Sequence, residues 1–297
     1  RDYKVTGVQT CALPICNGGE ATALNQLGVV VSSVADATGY DQAYRYQEGS
    51  LTSISAAVIP PVDKPMYARG VNDAGTIIGY IKNTPWVDEA YSWTASGLNP
   101  LGFLGDPNQY RIFSRANGIN NHGWIVGVSV TSNNVDHAFL WRDGSMIDLG
   151  SVNSMSSEAL AINDVGQVVG WLYDNATAEA FLYDDAEGLR SLGTFGGEAS
   201  KATAINNHGQ IVGEMYPGGD YVHSFLWSQG QVVQLGLLGG RYARAKGVND
   251  RGQVVGSAED INARERAFLW QDCAMIDLTQ TITNTNWELR SANAINN

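Results

Sequence analysis

Charge, cysteine and long apolar runs are all scarce in this chain. Only 16% of its 297 residues are charged, and acidic ones dominate: 30 Asp and Glu against 18 Lys and Arg, a formal net charge of -12. An acidic surface repels phosphate backbones, which argues against nucleic acid as a partner. The 3 cysteines show no CxxC spacing, so neither a disulfide framework nor a zinc site is expected. No apolar run approaches the roughly 18 residues of a spanning helix, so no membrane span is expected either. Proline is rare as well, with 8 residues against 34 glycines. Few charges, many glycines and abundant Val, Ile, Thr and aromatics favour an all-β protein.

The first residues stand apart. Arg1-Asp2, then Tyr3-Lys4, then the run from Val5 to Ile15 resemble a translated sequencing adapter, with Tyr3-Lys4 where a variable index would fall. Residues 1–15 are therefore read as an artefact, and 16–297 as a single repeat domain. Cys11 lies inside that stretch and Cys16 at its junction, which leaves Cys273 in a turn position that is usually Gly in the other repeats. The chain stops at Ala294-Ile295-Asn296-Asn297, in mid-repeat, and is read as part of a longer frame.

The repeat is set by an asparagine that closes a short apolar pattern: Asn25, Asn72, Asn120, Asn163, Asn206, Asn249 and Asn296. The spacings between them are 47, 48, 43, 43, 43 and 47 residues, six units and the opening of a seventh. Periods of this size indicate a propeller, a solenoid or an array. Three residues after each complete unit's Asn comes Gly28, Gly75, Gly123, Gly166, Gly209 or Gly252. Asn closing an Asx-turn and Gly at positive φ read as a hairpin turn between two strands. A Val/Ile run follows, then a second Gly at 79, 127, 170, 213 and 256, with Ser32 in its place in the first unit. The third strand is aromatic and apolar on both faces, as in Ala138-Phe139-Leu140-Trp141, and needs layers above and below it. A fourth strand ends at Leu149-Gly150, Leu192-Gly193 or Leu235-Gly236, and a Gly-rich link such as Gly196-Gly197 leads onward. Four short strands per unit predict a β-propeller of about six four-stranded blades, as a complete or an incomplete ring. The alternative is a β-solenoid, whose coils are usually shorter and repeat more tightly.

The pattern Ala204-Ile-Asn-Asn-His-Gly-Gln-Ile-Val-Gly213, the tripeptide His137-Ala138-Phe139 with its variants His223-Ser224-Phe225 and Arg266-Ala267-Phe268, and the Gly-rich links resemble the HAF repeat family. The resemblance covers about residues 17–297 and is weakest in the first two units. It implies a bacterial protein, exported or held at the cell surface, of unknown activity, and it supplies no catalytic residues.

Candidate chemistry is thin. His122, His137, His208 and His223 occupy positions where other units carry Ala74, Val165, Glu179 or Arg266, so no zinc site is expected. Asp148 and Asp277 hold one position in two different units, where a turn-capping role outweighs acid–base work. No GxSxG elbow, P-loop, HExxH or EF-hand loop occurs. Neither a catalytic residue nor a metal or cofactor is expected. The units differ most between the second Gly and the aromatic strand, and varied loops on a constant scaffold are where binding usually resides. The candidate ligand-binding residues are Trp86, Asp88, Asp136, Asp174, Tyr216, Asp220 and Tyr221 from these loops. Trp124 joins them because its counterparts Gln167, Gln210 and Gln253 are polar. The mix suits a glycan, a protein or a cation. The expected function is a non-enzymatic binding or scaffolding module outside the cell. The alternatives are a polysaccharide hydrolase or lyase on propeller loops and a structural surface spacer.

Overall fold

The computed structural model describes residues 20–36, 39–58, 64–84, 86–153, 155–174, 176–282 and 288–297. The stretch read as adapter, 1–15, lies outside them. The described chain divides into two compact units, one ending at Asp164 and one running from Val165 to Asn297.

In the first unit, β1 (Glu20–Leu24), β2 (Val30–Ala35), β3 (Asp41–Gln47) and β4 (Ser50–Ser53) form an antiparallel sheet in chain order. One helical turn, α1 (Ile54–Ala57), follows, with the Ser53 hydroxyl accepting from the Ala56 N–H. β5 (Met66–Val71), β6 (Ile77–Thr84), β7 (Val87–Thr94) and β8 (Gly97–Gly102) make the next sheet. β9 (Ile112–Ile119), β10 (Ile125–Val130), β11 (Asp136–Arg142) and β12 (Ser145–Gly150) make a third, and β13 (Ser156–Ile162) ends the unit. In the second unit, β14 (Val168–Tyr173), β15 (Ala178–Asp184) and β16 (Gly188–Gly193) pair in order. Two four-stranded sheets follow: β17 (Ala199–Ile205), β18 (Ile211–Gly218), β19 (Tyr221–Ser228) and β20 (Gln231–Gln234), then β21 (Gly239–Val248), β22 (Val254–Asp260), β23 (Glu265–Gln271) and β24 (Ala274–Asp277). Short parallel bridges join neighbouring sheets, Val87 to Ile112 and Val222 to Tyr242.

Two glycines shape each repeat. The turn glycines Gly28, Gly75, Gly123, Gly166, Gly209 and Gly252 have φ between 73 and 87°, as the hairpin reading requires. The second glycine answers a different demand. The first strand of the sheet bulges, with register breaks at 68/70, 202/204 and 245/247, and pushes a carbonyl toward the second strand. A Cβ on Gly79, Gly127, Gly213 or Gly256 would lie only 1.8 to 2.0 Å from the carbonyl oxygen of Tyr67, Arg115, Lys201 or Arg244.

The anchor asparagines do more than close turns. In Asn25, Asn72, Asn120, Asn206 and Asn249 the side-chain Oδ1 accepts N–H bonds from within its own turn, as Asn120 does from His122 and Trp124. The Nδ2 then donates to the backbone carbonyl of the next repeat's asparagine. Asn25 reaches Asn72, Asn72 reaches Asn120, and Asn120 reaches Asn163; in the second unit Asn206 reaches Asn249 and Asn249 reaches Asn296, all at 2.8 to 3.1 Å. A second rung runs beside the first. The backbone N–H of Gln26, Asp73, Asn121, Asn207 and Asp250 donates to the side-chain oxygen of Asp73, Asn121, Asp164, Asp250 and Asn297. A third starts at the bulge, where Thr22 Oγ1, Asn117 Nδ2 and Thr203 Oγ1 donate to the carbonyls of Ala68, Ala159 and Ala245.

Apolar packing fills the space between successive sheets. Phe139, fully buried, packs with Ile78, Ala90, Leu101 and Ala116 of the preceding part of its unit. Phe268 and Trp270 face Val212 and Leu226 of the sheet before, while Ala267 and Leu269 face Leu289 and Ala292, which come after. The two apolar faces of the aromatic strand are thus buried against two different neighbours. Truncating such a phenylalanine to Ala typically costs about 3–5 kcal/mol.

A serine staple fixes the seam between repeats. Ser114, Ser157 and Ser200 accept from the N–H of Ala90, Ala138 and Ala180 and donate to the carbonyls of Gly102, Gly150 and Gly193. The sheet of β19 departs from this: Ser224 stands where the others have Ala, Ala243 stands where they have Ser, and the buried Ser224 hydroxyl has no partner.

Two stability predictions follow from these contacts. Asn120→Ala should cost roughly 3 kcal/mol, since it orphans the Asn163 carbonyl and two turn N–H groups. Asn120→Asp should cost more at neutral pH, because a buried carboxylate would then face that carbonyl. Its folded pKa is raised, so the penalty should shrink as pH falls through that raised value and Oδ–H becomes a donor. Urea unfolding at pH 7 and at about pH 4.5 checks both. Ser224→Ala should raise stability by about 1 kcal/mol by removing an orphan hydroxyl, and adding Ala243→Ser should raise it further by restoring the staple. A lower urea midpoint for Ser224→Ala would show that the hydroxyl is bonded after all.

Candidate functional site

Antiparallel order sends the ladder turns to one end of each sheet and the loops between second and third strands to the other. Of the four sequence-selected residues in the first unit, Trp124 sits in a ladder turn, away from the end that carries Trp86. It is half-buried, with the His122 ring 5.6 Å away and the Arg142 guanidinium 5.4 Å from its centroid. Trp86 is 76% exposed at the tip of the β6–β7 loop. Asp88 and Asp136 lie on strands. Asp88 is buried on β7 and takes Nε and Nη2 of Arg115 at 2.6 and 2.5 Å. Asp136 takes both Nη atoms of Arg111 at 2.6 and 2.9 Å. These carboxylates are already neutralised by β9 and its lead-in: the Asp88 pair joins two successive sheets, whereas the Asp136 pair ties the lead-in of β9 to β11 of its own sheet.

In the second unit, Asp174 heads the β14–β15 loop and accepts from the N–H groups of Ala176 and Thr177, both at 2.7 Å. Those bonds hold its carboxyl below the usual carboxylate range. Asp260 does the same for the β22–β23 loop, accepting from the N–H of Arg264 and Asn262 and from the Arg266 guanidinium, with its pKa lowered likewise. Asp220 and Tyr221 are exposed in the tight β18–β19 turn, and Tyr221 presents its ring edge to His223 at 6.3 Å. Tyr216 lies back along β18, where its hydroxyl donates to Glu214 at 2.8 Å. Burial, reinforced by the Glu214 charge, pushes its pKa up to about 12, so it stays a neutral donor.

The sequence reading missed the outward face of the first strands. Along β9 the core takes Ile112, Ser114 and Ala116, leaving Phe113, Arg115 and Asn117 outward. Along β17 it leaves Lys201 and Thr203, and along β21 Tyr242, Arg244 and Lys246. The cations of this face rest on aromatic rings. Arg69 and Arg115 lie 5.6 and 5.3 Å from the centroid of Tyr80, which itself stacks on Tyr67 at 4.6 Å. Lys201 lies 4.8 Å over Trp171, and Arg244 5.4 Å from the Tyr242 centroid. The available signal was the strict alternation in Ser200-Lys201-Ala202-Thr203, which puts Lys and Thr on one face.

His137 Nδ1 meets the Asp148 carboxylate at 2.9 Å. Burial, which alone would raise the Asp148 pKa, is outweighed by the bonds from His137 and the Gly150 N–H, and the pKa is lowered. Among the described residues, no three His, Cys, Asp or Glu side chains come together to hold a metal ion, and no helix is long and apolar enough to cross a membrane.

No family model and no curated protein matches the chain. Solved structures do match it in shape. TolB from Acinetobacter baumannii aligns with a TM-score of 0.54 at 12% identity, over 77% of this chain and 56% of its own. A puromycin-hydrolyzing peptidase of Mycobacterium tuberculosis aligns with a TM-score of 0.58 at 10% identity, over 94% of this chain and 48% of its own. The β-propeller domain of the trilobed protease from Pyrococcus furiosus gives 0.41 at 12% identity, over 88% of this chain and 95% of that domain. The chain thus spans about half the length of the first two. At such identities the likeness shows the fold alone: repeated four-stranded blades of a β-propeller.

The loop carboxylates generate a pH prediction. Asp174 has a depressed folded pKa, so its contribution to loop order is full above the unfolded value of 3.8 and is lost as pH falls through the lower folded value. Amide signals of Ala176 and Thr177 should therefore shift and exchange faster below pH 3.8, and Asp174→Ala should show the low-pH behaviour already at pH 7. Unchanged Thr177 exchange in that variant would contradict the capping role.

Proposed function

We propose that this protein is a non-enzymatic binding or scaffolding module of the HAF repeat kind, exported and acting at the cell surface or outside the cell. The observation that carries the reading is where the recurrent polar groups go. The anchor asparagines, their neighbours and the staple serines are bonded to adjacent repeats and build the scaffold. The side chains that differ between repeats, in the loops and on the first-strand faces, are what a fold of this kind offers to a ligand. The β-propeller fold supports a binding module, and the HAF resemblance supports export.

A glycan and peptide array probed with the whole chain tests this. Saturable binding to at least one class is expected, weakened several-fold by Trp86→Ala or Tyr221→Ala if the loops carry it, with the ligand recovered unchanged. Turnover of a polysaccharide would replace this reading with the enzymatic one.

A further inference from the structure

The second unit carries a cluster of cations and aromatic rings that lies apart from the asparagine ladder and the serine staple. Lys201 on β17 and Arg244 on β21 hold the same repeat position, five residues before Asn206 and Asn249. Their strands are tied by the bond from Thr203 Oγ1 to the Ala245 carbonyl at 2.8 Å. Lys201 sits over Trp171, whose ring stacks on Tyr173 with centroids 4.4 Å apart. Lys201 also pairs across the sheet with Glu214, and Glu214 receives the Tyr216 hydroxyl. Arg244 packs on Tyr242. All four aromatics are half-buried, and Arg244 is exposed.

The charges are what set this cluster apart. In the first unit, Arg115 holds the matching position over Tyr80, but Asp88 neutralises it at 2.5 Å. Among the described residues, neither Lys201 nor Arg244 lies within ion-pair distance of a carboxylate, although the charges of Glu214, Glu259 and Glu265 reach the neighbouring Tyr216 and Tyr242. In a chain of net charge -12, two cations held on rings and engaged in no ion pair keep their N–H donors available to an incoming anion. The rings fix the cations in place and add flat apolar area, while Glu214 and the Tyr216 hydroxyl add an acceptor and a polar tip. No aliphatic side chain belongs to the cluster, so it lacks the apolar pockets by which peptides are usually anchored.

We propose that the Trp171, Tyr173, Lys201, Tyr216, Tyr242 and Arg244 cluster is a binding site for a carboxylated glycan, a uronic-acid-containing oligosaccharide. The sugar rings lie against the aromatic groups and the carboxylates meet Lys201 and Arg244. The proposal rests on the binding-module reading and places its ligand on the first-strand face.

The test is calorimetric titration of the whole chain with tetragalacturonate, its methyl ester and a glutamate decapeptide. Tetragalacturonate should bind, the ester at least tenfold more weakly, and the affinity should fall further in high salt. Lys201→Gln and Arg244→Gln should each weaken binding at least tenfold with thermal midpoints unchanged. Arg244→Lys should retain most of the affinity, and Tyr221→Ala all of it. Equal affinity for the ester, tighter binding of the glutamate peptide, indifference to both charge-removing variants, or no binding at all would each overturn the proposal. The binding-module reading survives any of these if the array finds another ligand sensitive to loop substitutions, and fails separately if it finds none.

Discussion

The fold depends on one bond made repeatedly: an asparagine Nδ2 reaching the carbonyl of the asparagine one repeat on. The six anchor asparagines from Asn25 to Asn249 are 3 to 4% exposed, so an unpaired amide at any of them would cost about 1–3 kcal/mol. The ladder meets that demand and sets the stagger between sheets at the same time. The interleaved apolar faces follow from it. Once Asn72 and Asn120 are linked, Ile78 and Ala90 lie beside Phe139, and the space between is filled. The close approach that forces glycine at 79, 127, 213 and 256 belongs to the same first strand that carries the ladder into its turn.

The repeat, its strand count and the turn glycines were readable from spacing, because positive φ and a two-faced apolar strand leave local marks; the second glycine was readable as a position, but the carbonyl that presses on it was not. The direction of the asparagine side chain was not. A period gives the position of Asn120 but not that its amide donates to Asn163 while its oxygen serves its own turn. Cys273 was readable as a stand-in for a turn glycine, and it holds φ at 61°. Asp88 and Asp136 were read as loop residues because they fall between the second Gly and the aromatics. Their strands begin at Val87 and Asp136, and their arginines lie 27 residues after Asp88 and 25 before Asp136, beyond the reach of any local pattern. The cation-bearing face of β17 and β21 was hidden by composition, since a net negative chain does not announce where its few positive charges gather.

Placement of charge explains the division of labour between the ends and the faces of the blades. Carboxylates at the loops, such as Asp174 and Asp260, are turned inward onto their own N–H groups and serve as clasps. Those on strands, such as Asp88, tie one sheet to the next. Acidic residues are numerous because the scaffold uses them, whereas Lys201 and Arg244 have no such structural task.

The ladder also has a polarity. The asparagine amides give from the earlier repeat and the carbonyls receive at the later one, so the repeats linked this way present a giving edge and an accepting edge that are alike from one to the next. Two neighbouring repeats can therefore be copied or lost together in a gene without leaving a mismatched ladder bond, whether the spacing is 43 residues or 48. A protein held together this way can change its number of repeats by recombination and keep the contacts between successive ones, while the side chains that meet a ligand diverge from copy to copy.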